Sequence, residues 1–451
     1  MSSITENVVD FIQRTKFEDL PNDALREAKK CILDCIGVAL AGSVQPIGRI
    51  IKKYLEATAG KQQSTVIGYG LKTSAPDAAF ANGTFAHALD YDDDNYSLVG
   101  HPSAPVLPAV LATGEVVQSS GKDALTAYMV GVEVECKIGA VMSSSLHKRR
   151  LPSTGLVGTF GAVASAGKIL HLNSEELANA LGIAGSEAAA VQKNSGTMTK
   201  PFHAGRAAQN GVVAALLAKE GFTASKDILG PGGWCQSMIG ESSLPNIGEK
   251  LGKPWEVLDP GINIKTYPCV YTAQPAILGT LGMMKEYVIN PDEVASVRVG
   301  MNPHGKYAMS YSEPKTGLQG KFSAPYVVAV AALNRPPTLE DFTDATVTAR
   351  MQGTKFVDFM KKVELYVDPD VDAKIPYHLG DQLAKVTIKM KDGREHVREQ
   401  QNKTLTREEL MTKYRDCAGL VLKNEKIDKS IELEMKMEEV ENIKDLTKLL
   451  Y

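Results

Sequence analysis

The chain of 451 residues has little of several features that mark specialised classes of protein. Aromatic residues make up only 6%, and the formal net charge is −3, so no basic surface for nucleic acid is indicated. No apolar run reaches the roughly 20 residues that a membrane-spanning helix needs. The N-terminus lacks the basic-then-apolar layout of a signal peptide. We therefore expect a cytoplasmic protein with no nucleic-acid partner and no membrane partner.

Cysteine is also scarce, with six residues and no Cys-x-x-Cys pair. The spacing of these residues gives no zinc framework, so no metal site is predicted. Cys31 and Cys35 are four apart in a helical pattern and share one face. We interpret them as two small core residues, because cysteines of cytoplasmic proteins rarely form disulfides.

The first 260 residues have the periodicity of helices. Apolar residues recur at spacings of three and four from Leu25 to Ala39. Ser74-Ala-Pro76 predicts a helix start, Asn173-Ser-Glu-Glu176 is typical of a capping box, and Gly205 to Glu220 predicts a further helix. Alanine and glycine are frequent in this half, and small residues allow helices to pack closely. We expect a compact helical body.

After about Pro268 the pattern changes to one of strands and helices. Val294–Val299 and Val363–Val367 alternate as strands do, and the segment from Ala384 through Lys391-Asp392-Gly393 predicts a hairpin. Helical periodicity returns from Thr406. The predicted fold class is mainly α with an α+β part, in which residues 1–268 and 401–451 form a helical domain and residues 269–400 form an inserted α+β domain.

The densest group of titratable side chains lies between His87 and His101. His87-Ala-Leu-Asp90-Tyr-Asp-Asp-Asp94 is followed by His101-Pro-Ser, and apolar runs flank the whole stretch. Such clusters at the junction of a buried scaffold and a loop are typical of reactive sites. His101, which precedes a predicted helix start, is the better catalytic candidate. His87, on the apolar helix, is interpreted as a core histidine, and a solvated acidic loop is the alternative for the aspartates.

Two further segments carry cations. Lys200, His203 and Arg206 lie at a predicted helix start, where free N–H groups and the helix dipole favour an anion such as a carboxylate. A solvated basic helix start is the alternative interpretation. Lys265 and Tyr267 alternate in a segment predicted to be extended, so both could face the same way, and Pro268 then favours a turn.

Taken together, these segments resemble the MmgE/PrpD family over essentially the whole chain. The matching motifs are His-Ala-Leu-Asp-Tyr-Asp-Asp, His-Pro-Ser, Ser-Thr-Gly with Gly-Thr-Phe-Gly-Ala, Lys-Pro-Phe-His-Ala-Gly-Arg and Lys-Thr-Tyr-Pro-Cys. The family includes 2-methylcitrate dehydratases, cis-aconitate decarboxylases and iminodisuccinate epimerases. The resemblance implies a large helical domain with a smaller α+β lid, a homodimer, and no metal or organic cofactor.

The resemblance also implies roles for individual residues. Expected catalytic residues are His101, Lys200, Asp90 and Lys265. Expected substrate-binding residues are Asp94, His203, Arg206, Tyr267, Thr154 and Tyr326. This chain has Pro152, Val270 and Gln274 at positions where decarboxylases or many other members carry histidine, so its pocket is predicted to be poorer in imidazole.

Chemistry in this family involves a carbanion or enediolate next to a carboxylate, which requires cations at the carboxylate and a base at the carbon. We therefore predict a cofactor-free, dehydratase-type lyase acting on a small di- or tricarboxylate. An epimerase or isomerase of an amino- or hydroxy-dicarboxylate and a non-catalytic ligand-binding member are the alternatives. A helical Mg²⁺-dependent synthase would need a second acidic motif, which the sequence lacks.

Overall fold

The computed structural model describes residues 3–58, 60–240, 247–333, 335–375 and 382–451. By contacts, the chain divides into two compact units. Unit 1 comprises Met1–Ala88, Asp92–Ile264 and Thr406–Tyr451, and unit 2 comprises Leu89–Tyr91 and Lys265–Leu405. The sequence predicted junctions at 268/269 and 400/401 and did not separate the three residues Leu89–Tyr91. The fold class is mainly α with an α+β part, as predicted.

Unit 1 is built from helices and two short pairs of strands. Its α-helices are α1 Ile4–Arg14, α2 Asn22–Ser43, α3 Pro46–Thr58, α4 Ala75–His87, α5 Ser103–Val117, α6 Gly121–Lys148, α7 Ser153–Leu156, α8 Gly158–Ile169, α9 Ser174–Glu187, α10 Thr199–Lys219, α11 Trp234–Ile239, α19 Arg407–Ala418, α20 Asn424–Met435 and α21 Lys444–Thr447. Its strands are β1 Ser64–Val66, β2 Leu71–Thr73, β3 Asp94–Asn95 and β4 Ile262–Asn263. The pairs β1–β2 and β3–β4 are antiparallel and were not predicted.

Local sequence signals explain where several of these helices begin. Ser74 caps α4 by accepting a hydrogen bond from the backbone N–H of Asp77, and Asn173 and Glu176 form the predicted capping box of α9. The first helical residue of α10 is Thr199, so Lys200 and His203 lie in its first two turns. Among the described residues no single helix is long and apolar enough to cross a membrane, although α2 and α3, bent by 80°, pass that test as a pair by length and composition.

Helices α4 and α10 approach each other closely because both carry glycine at the contact. A methyl group added at Gly83 would lie 3.0 Å from the Cα of Gly205, and one at Gly205 would overlap the Phe80 carbonyl oxygen and the Thr84 hydroxyl. This close approach places the N-terminal end of α10 beside the C-terminal end of α4. The two helix ends carry Lys200 and His87.

Unit 2 combines a four-stranded sheet with helices. Its strands are β5 Val294–Met301, β6 Val363–Val367, β7 Leu383–Met390 and β8 Glu395–Gln401, in the order β6-β5-β7-β8. The β5–β6 pair is parallel, the β5–β7 and β7–β8 pairs are antiparallel, and the predicted hairpin joins β7 to β8. Its helices are α12 Gln274–Glu286, α13 Pro303–Ala308, α14 Gly317–Gly320, α15 Ala324–Ala332, α16 Asp344–Gln352, α17 Thr354–Met360 and α18 Pro369–Lys374.

The core of unit 2 lies where the buried faces of β5 and β7 meet α12 and α15. Val297, Val386 and Ile388 from the sheet and Ile277 and Val327 from the helices are fully buried there. The segment that leads into this unit was predicted to be extended. In the structure the strand ends at Asn263, and residues 266–269 form a bend instead.

Candidate active site

His87 is the centre of a buried polar cluster in unit 1. It ends α4, and its side chain is only 2% exposed. Its Nδ1 lies 2.8 Å from the Oδ2 of Asp92, and its Nε2 lies 3.0 Å from the Nζ of Lys200. Because the carboxylate of Asp92 accepts, the Nδ1 of His87 carries the proton and its Nε2 accepts from the Lys200 ammonium. The structure therefore links a carboxylate, an imidazole and an ammonium in one hydrogen-bonded series.

His101 lies beside this series and has a defined tautomer. The centres of the two imidazole rings are 4.4 Å apart. The Nδ1 of His101 lies 2.7 Å from the backbone carbonyl oxygen of Asp93, which can only accept a hydrogen bond. The proton of neutral His101 is therefore on Nδ1, and the lone pair is on Nε2. An imidazole in this state is suited to accept a proton from carbon.

Two of the predicted substrate-binding residues support the position of His101. The Oγ1 of Thr154, in α7, accepts a hydrogen bond of 3.1 Å from the backbone N–H of His101. The Oδ2 of Asp94 lies 3.9 Å from the Nδ1 of His101, and Asp94 itself is held by the pairing of β3 with β4. The structure thus places Thr154 and Asp94 beside His101, and their substrate-binding roles stay predictions.

His203 lies on α10 close to the same cluster and is neutral. Burial, together with smaller contributions from the charges of His87 and Lys200, lowers its pKa to about 4. A neutral imidazole can accept or donate a hydrogen bond without adding charge to the cluster. We therefore expect His203 to contact a substrate through a hydrogen bond and not through an ion pair.

A second layer of polar groups lies beneath the acidic loop. The carboxylate of Asp93 accepts hydrogen bonds from the backbone N–H and the hydroxyl of Ser103, and that hydroxyl lies 2.6 Å from the hydroxyl of Tyr128. Burial raises the pKa of Asp93 well above its usual range, and the bonds from Ser103 oppose that rise only in part. These hydrogen bonds of Asp93 fix the loop between α4 and α5, while the neighbouring Asp92 accepts the hydrogen bond from His87.

Arg206 is linked through Gln209 to the first turn of α4. Its guanidinium donates to the side chain of Gln209, and Gln209 donates to the Oδ1 of Asp77 over 3.0 Å. Asp77 is in the first turn of α4, whereas His87 is its last residue, so roughly 15 Å of helix separates them. The predicted role of Arg206 in holding a carboxylate gains no support from this position.

In unit 2, Asp90 and Lys265 form a buried ion pair. The Nζ of Lys265 lies 2.7 Å from the Oδ1 of Asp90 and 3.0 Å from its backbone carbonyl oxygen. The side chains are 5% and 0% exposed, respectively. Asp90 has a left-handed backbone with φ of 50°, an uncommon conformation for a residue other than glycine. The two predicted catalytic residues of this unit are thus brought into direct contact.

Gln274 braces the turn that follows Lys265. Its Oε1 accepts from the backbone N–H of Tyr267 over 2.9 Å, and its Nε2 donates to the carbonyl oxygen of Tyr267 over 2.8 Å. The Tyr267 side chain is buried among the apolar residues of unit 2. The side chain at position 274, where many family members were expected to carry histidine, is therefore engaged in holding the backbone.

Tyr326 is fully enclosed in the core of unit 2. Its hydroxyl donates to the backbone carbonyl of Asp341 and accepts from Arg350 over 3.0 Å, and its ring packs against Phe342 and Phe356. Burial raises its pKa to about 12, partly offset by Arg350. A side chain held in this way reaches no substrate unless the core opens, so its predicted binding role gains no support.

Within unit 1 the donors of His87, Asp92 and His101 could hold a metal ion. One nitrogen of each imidazole and one oxygen of the carboxylate lie within 4.8 Å of one another. Two imidazoles and a carboxylate are a common ligand set for transition metals. An ion bound through His87 would have to displace Lys200 from Nε2 or Asp92 from Nδ1. The hydrogen bonds that the residues make fit proton transfer better than metal binding.

The helical unit, the α+β unit and the buried groups of His, Asp and Lys point to the class of protein that the motifs predicted. The chain belongs to the MmgE/PrpD family, because the MmgE/PrpD N-terminal domain matches residues 6–245 and the MmgE/PrpD C-terminal domain matches residues 267–439.

Several characterised relatives align with the entire chain. The cis-aconitate decarboxylases of Mus musculus and Homo sapiens are each 27% identical over 100% of this chain and over 94% and 95% of their own lengths. The cis-aconitate decarboxylase of Aspergillus terreus is 28% identical over 100% of this chain and 96% of its own length.

Sequence reasoning missed two members of the cluster in unit 1. His87 was interpreted as a core histidine, and it is indeed buried, but both of its ring nitrogens are engaged by charged groups. Asp92 was counted only as one of a run of aspartates. The available signal was position: His87 is the last apolar-face residue of a helix that opens into an acidic loop, five residues before Asp92.

Proposed function

We propose that the chain is a lyase of the hydro-lyase type, which acts on a small di- or tricarboxylate by moving a proton at the carbon next to a carboxylate. The observation that carries the proposal is the series Asp92–His87–Lys200 with the His101 ring 4.4 Å from that of His87. This cluster offers a base, an acid and a positive charge. The names of the relatives support a lyase that acts on a small tricarboxylate.

The proposed step divides the work between His101 and Lys200. The Nε2 of His101 takes the proton from the carbon next to the carboxylate. The electron pair left on that carbon forms the double bond as the neighbouring C–O bond breaks, and the hydroxyl leaves as water with a proton from the Lys200 ammonium. Lys200 also neutralises a substrate carboxylate, which makes the proton on carbon more acidic. Asp90 and Lys265 remain the predicted catalytic residues of unit 2.

Decarboxylation of cis-aconitate is the second candidate function, and the names of the relatives favour it. The resemblance places histidines of the decarboxylases where this chain has Pro152 and Val270. Pro152 precedes the first residue of α7 and has no titratable group. Gln274, where many members of the family carry histidine, instead holds the backbone of Tyr267. The remaining imidazoles suit removal of a proton, so we rank dehydration first.

Proton NMR in D₂O with a panel of acids tests the reaction type. The panel holds 2-methylcitrate, citrate, cis-aconitate and iminodisuccinate. Loss of a hydroxy acid with a new vinylic signal supports the hydro-lyase. Loss of the cis-aconitate signals with the appearance of those of a decarboxylated product supports the decarboxylase. Deuterium entering an unchanged skeleton supports the epimerase, and binding without turnover supports a non-catalytic member of the family.

The first variant to test is Lys200→Met. Because this change removes both the proposed acid and the charge, we expect turnover to fall by about 10²–10⁴-fold while the fold is retained. Lys193→Met, an exposed lysine of the preceding segment, is the matched control and should keep wild-type activity. Unchanged turnover in folded Lys200→Met removes Lys200 from the mechanism.

The partner predictions stay proposals. We propose a homodimer in the cytoplasm that binds a small carboxylate and neither nucleic acid nor membrane. Unit 1 exposes Tyr54 and Phe202, whose rings flank that of Phe80 at centre distances of 6.4 and 5.7 Å. An exposed aromatic face of this kind is suited to a protein interface. Light scattering at two protein concentrations measures the mass in solution.

A further inference from the structure

Lys321 is a buried lysine of unit 2 for which the sequence assigned no role. Its side chain belongs to a residue that is 2% exposed, and its Nζ donates to the carbonyl oxygen of Leu89 over 2.6 Å and to that of Pro268 over 2.8 Å. The Nζ also lies 4.7 Å from the centre of the Phe342 ring. Burying an ammonium costs several kcal/mol unless acceptors surround it, so these contacts hold Lys321 in one place.

The two carbonyls that Lys321 binds belong to the two segments that carry the Asp90–Lys265 pair. Leu89 precedes Asp90, and Pro268 lies in the bend that follows Lys265. Lys265 binds the carbonyl oxygen of Asp90, so two lysines hold two successive carbonyls of one short segment. The backbone of Lys321 adds a further link, because its carbonyl accepts from the N–H of Val270 over 3.2 Å.

The conformation of Asp90 requires such support. A left-handed backbone costs an ordinary residue roughly 1–2 kcal/mol and persists only where its surroundings fix it. At Asp90 the φ angle is 50°, and the next residue, Tyr91, is tied to the carbonyl of Thr266 through its hydroxyl over 3.0 Å. The hydrogen bond from Lys321 to the carbonyl oxygen of Leu89 holds the residue before Asp90.

We propose that Lys321 is a positioning residue of the proposed lyase, which holds Leu89 and Pro268 together and so fixes the Asp90–Lys265 pair. The expected effect on catalysis rests on the proposed function, whereas the expected effect on the Asp90–Lys265 pair does not. Lys321 acts through the carbonyl groups of Leu89 and Pro268, so its effect is transmitted through Asp90 and Lys265. Two ammonium groups beside one carboxylate also leave this part of unit 2 positively charged, which suits an anionic substrate.

The field of both lysines reaches the neighbouring thiol of Cys269. Burial raises the pKa of Cys269 to about 12, and the charges of Lys321 and Lys265 oppose that rise. The two ammonium groups therefore act on one small buried region, together with Asp90, whose charge acts in the opposite direction. Removing one of the two ammonium groups therefore changes the electrostatic environment of the other.

The test compares Lys321→Met and Lys321→Arg with the matched control Lys362→Met. Lys362 belongs to the same unit, donates to the carbonyl of Val294 over 2.7 Å and lies 5.5 Å from the Phe359 ring centre. Lys321→Met should lower kcat by about 100-fold with little change in KM, because a small misplacement of catalytic groups has that effect. Lys321→Arg, which keeps a charge and N–H donors, should restore part of the loss, and Lys362→Met should match the wild type.

A crystal structure of Lys321→Met gives a readout that needs no activity. We expect Asp90 to leave its left-handed conformation and the Lys265–Asp90 ion pair to lengthen. If Lys321→Met does not fold, Lys321→Gln replaces it with the same readouts. An unchanged Asp90–Lys265 pair together with wild-type kcat overturns the inference. A wild-type protein that is silent on the whole panel overturns the proposed function instead, and the crystal structure still decides the role of Lys321.

Discussion

His87 and His101 are imidazoles of one loop region, and their hydrogen bonds give them different tasks. His87 is closed between Asp92 and Lys200, so it cannot meet a substrate and instead sets the protonation and position of Lys200. His101 is fixed by a backbone carbonyl at Nδ1, which directs its lone pair to Nε2. The same residue type thus serves once as a support and once as the proposed base.

Asp92→Asn is expected to disrupt the hydrogen bonds of His87 while keeping the size of the side chain at position 92. The amide can donate to Nδ1 of His87, which moves the ring proton to Nε2 and sets it against the Lys200 ammonium. We expect kcat to fall by about 10²–10⁴-fold, since the acid loses its acceptor. Nitrogen-detected NMR of the imidazoles reports the tautomer directly.

Asp10→Asn is the control for that variant, because Asp10 is exposed and forms an ion pair with Arg14 along α1. It should leave both kcat and the imidazole signals as in the wild type. If Asp92→Asn keeps the Nδ1–H tautomer of His87 and full turnover, the series Asp92–His87–Lys200 has no part in catalysis.

At the scale of elements, the contact between α4 and α10 brings the cluster together. Lys200 is near the first residue of α10, and His87 is the last residue of α4. The helices come close only because Gly83 and Gly205 present no side chains at their contact. Small residues at a helix contact thus determine a distance between polar groups one to two turns away.

Gly205→Ala should separate these helices. The added methyl group overlaps the backbone of Phe80 and the hydroxyl of Thr84, so we expect the free energy of unfolding to fall by about 1–3 kcal/mol. Turnover should fall as well, because Lys200 moves away from His87. Urea unfolding and kcat measure the two effects.

Gly353→Ala serves as the comparison for Gly205→Ala. A methyl group there meets backbone oxygens at 3.4 and 3.7 Å, which is ordinary contact. This variant should keep the stability and turnover of the wild type. Equal behaviour of the two variants would show that α4 and α10 tolerate a wider spacing than the structure has.

Elements with local signals could be predicted from the sequence, and elements without them could not. The capping residues Ser74 and Asn173 and the turn at Gly393 each act within a few residues, so α4, α9 and the β7–β8 hairpin were found. The strands β3 and β4 are two residues long and pair across a large separation in the chain. No periodicity exists in so short a segment.

The residues of the candidate site also differ in whether a local sequence signal points to them. The family motifs selected His101, Lys200, Asp90 and Lys265 as candidates, whose catalytic roles stay predictions. They could not identify His87, Asp92 or Lys321, whose importance depends on which backbone and side-chain groups the fold brings to them. For Arg206 the predicted role stays a prediction, and a helical spacing of three from His203 could not show that its guanidinium donates to Gln209.

At the scale of the whole molecule, all six cysteines are buried and none forms a disulfide. Burial raises the pKa of Cys31 and Cys35 well above the usual range, and nearby Asp93 and Asp34 raise it further. We expect a thiol reagent such as dithionitrobenzoate to label fewer than one cysteine rapidly in the native protein and all six in guanidinium chloride. Fewer than six in the unfolded protein would reveal a disulfide.

The C-terminal segment completes the first unit. Lys413, in α19, forms a buried ion pair of 2.6 Å with Asp34 of α2, and the adjacent Tyr414 packs against Gly37. A ribosome delivers α2 early and α19 almost last. Until α19 has been synthesised, the carboxylate of Asp34 lacks the ammonium of Lys413 and Gly37 of α2 lacks its contact with Tyr414, so this part of unit 1 can pack fully only after residue 414 has left the exit tunnel.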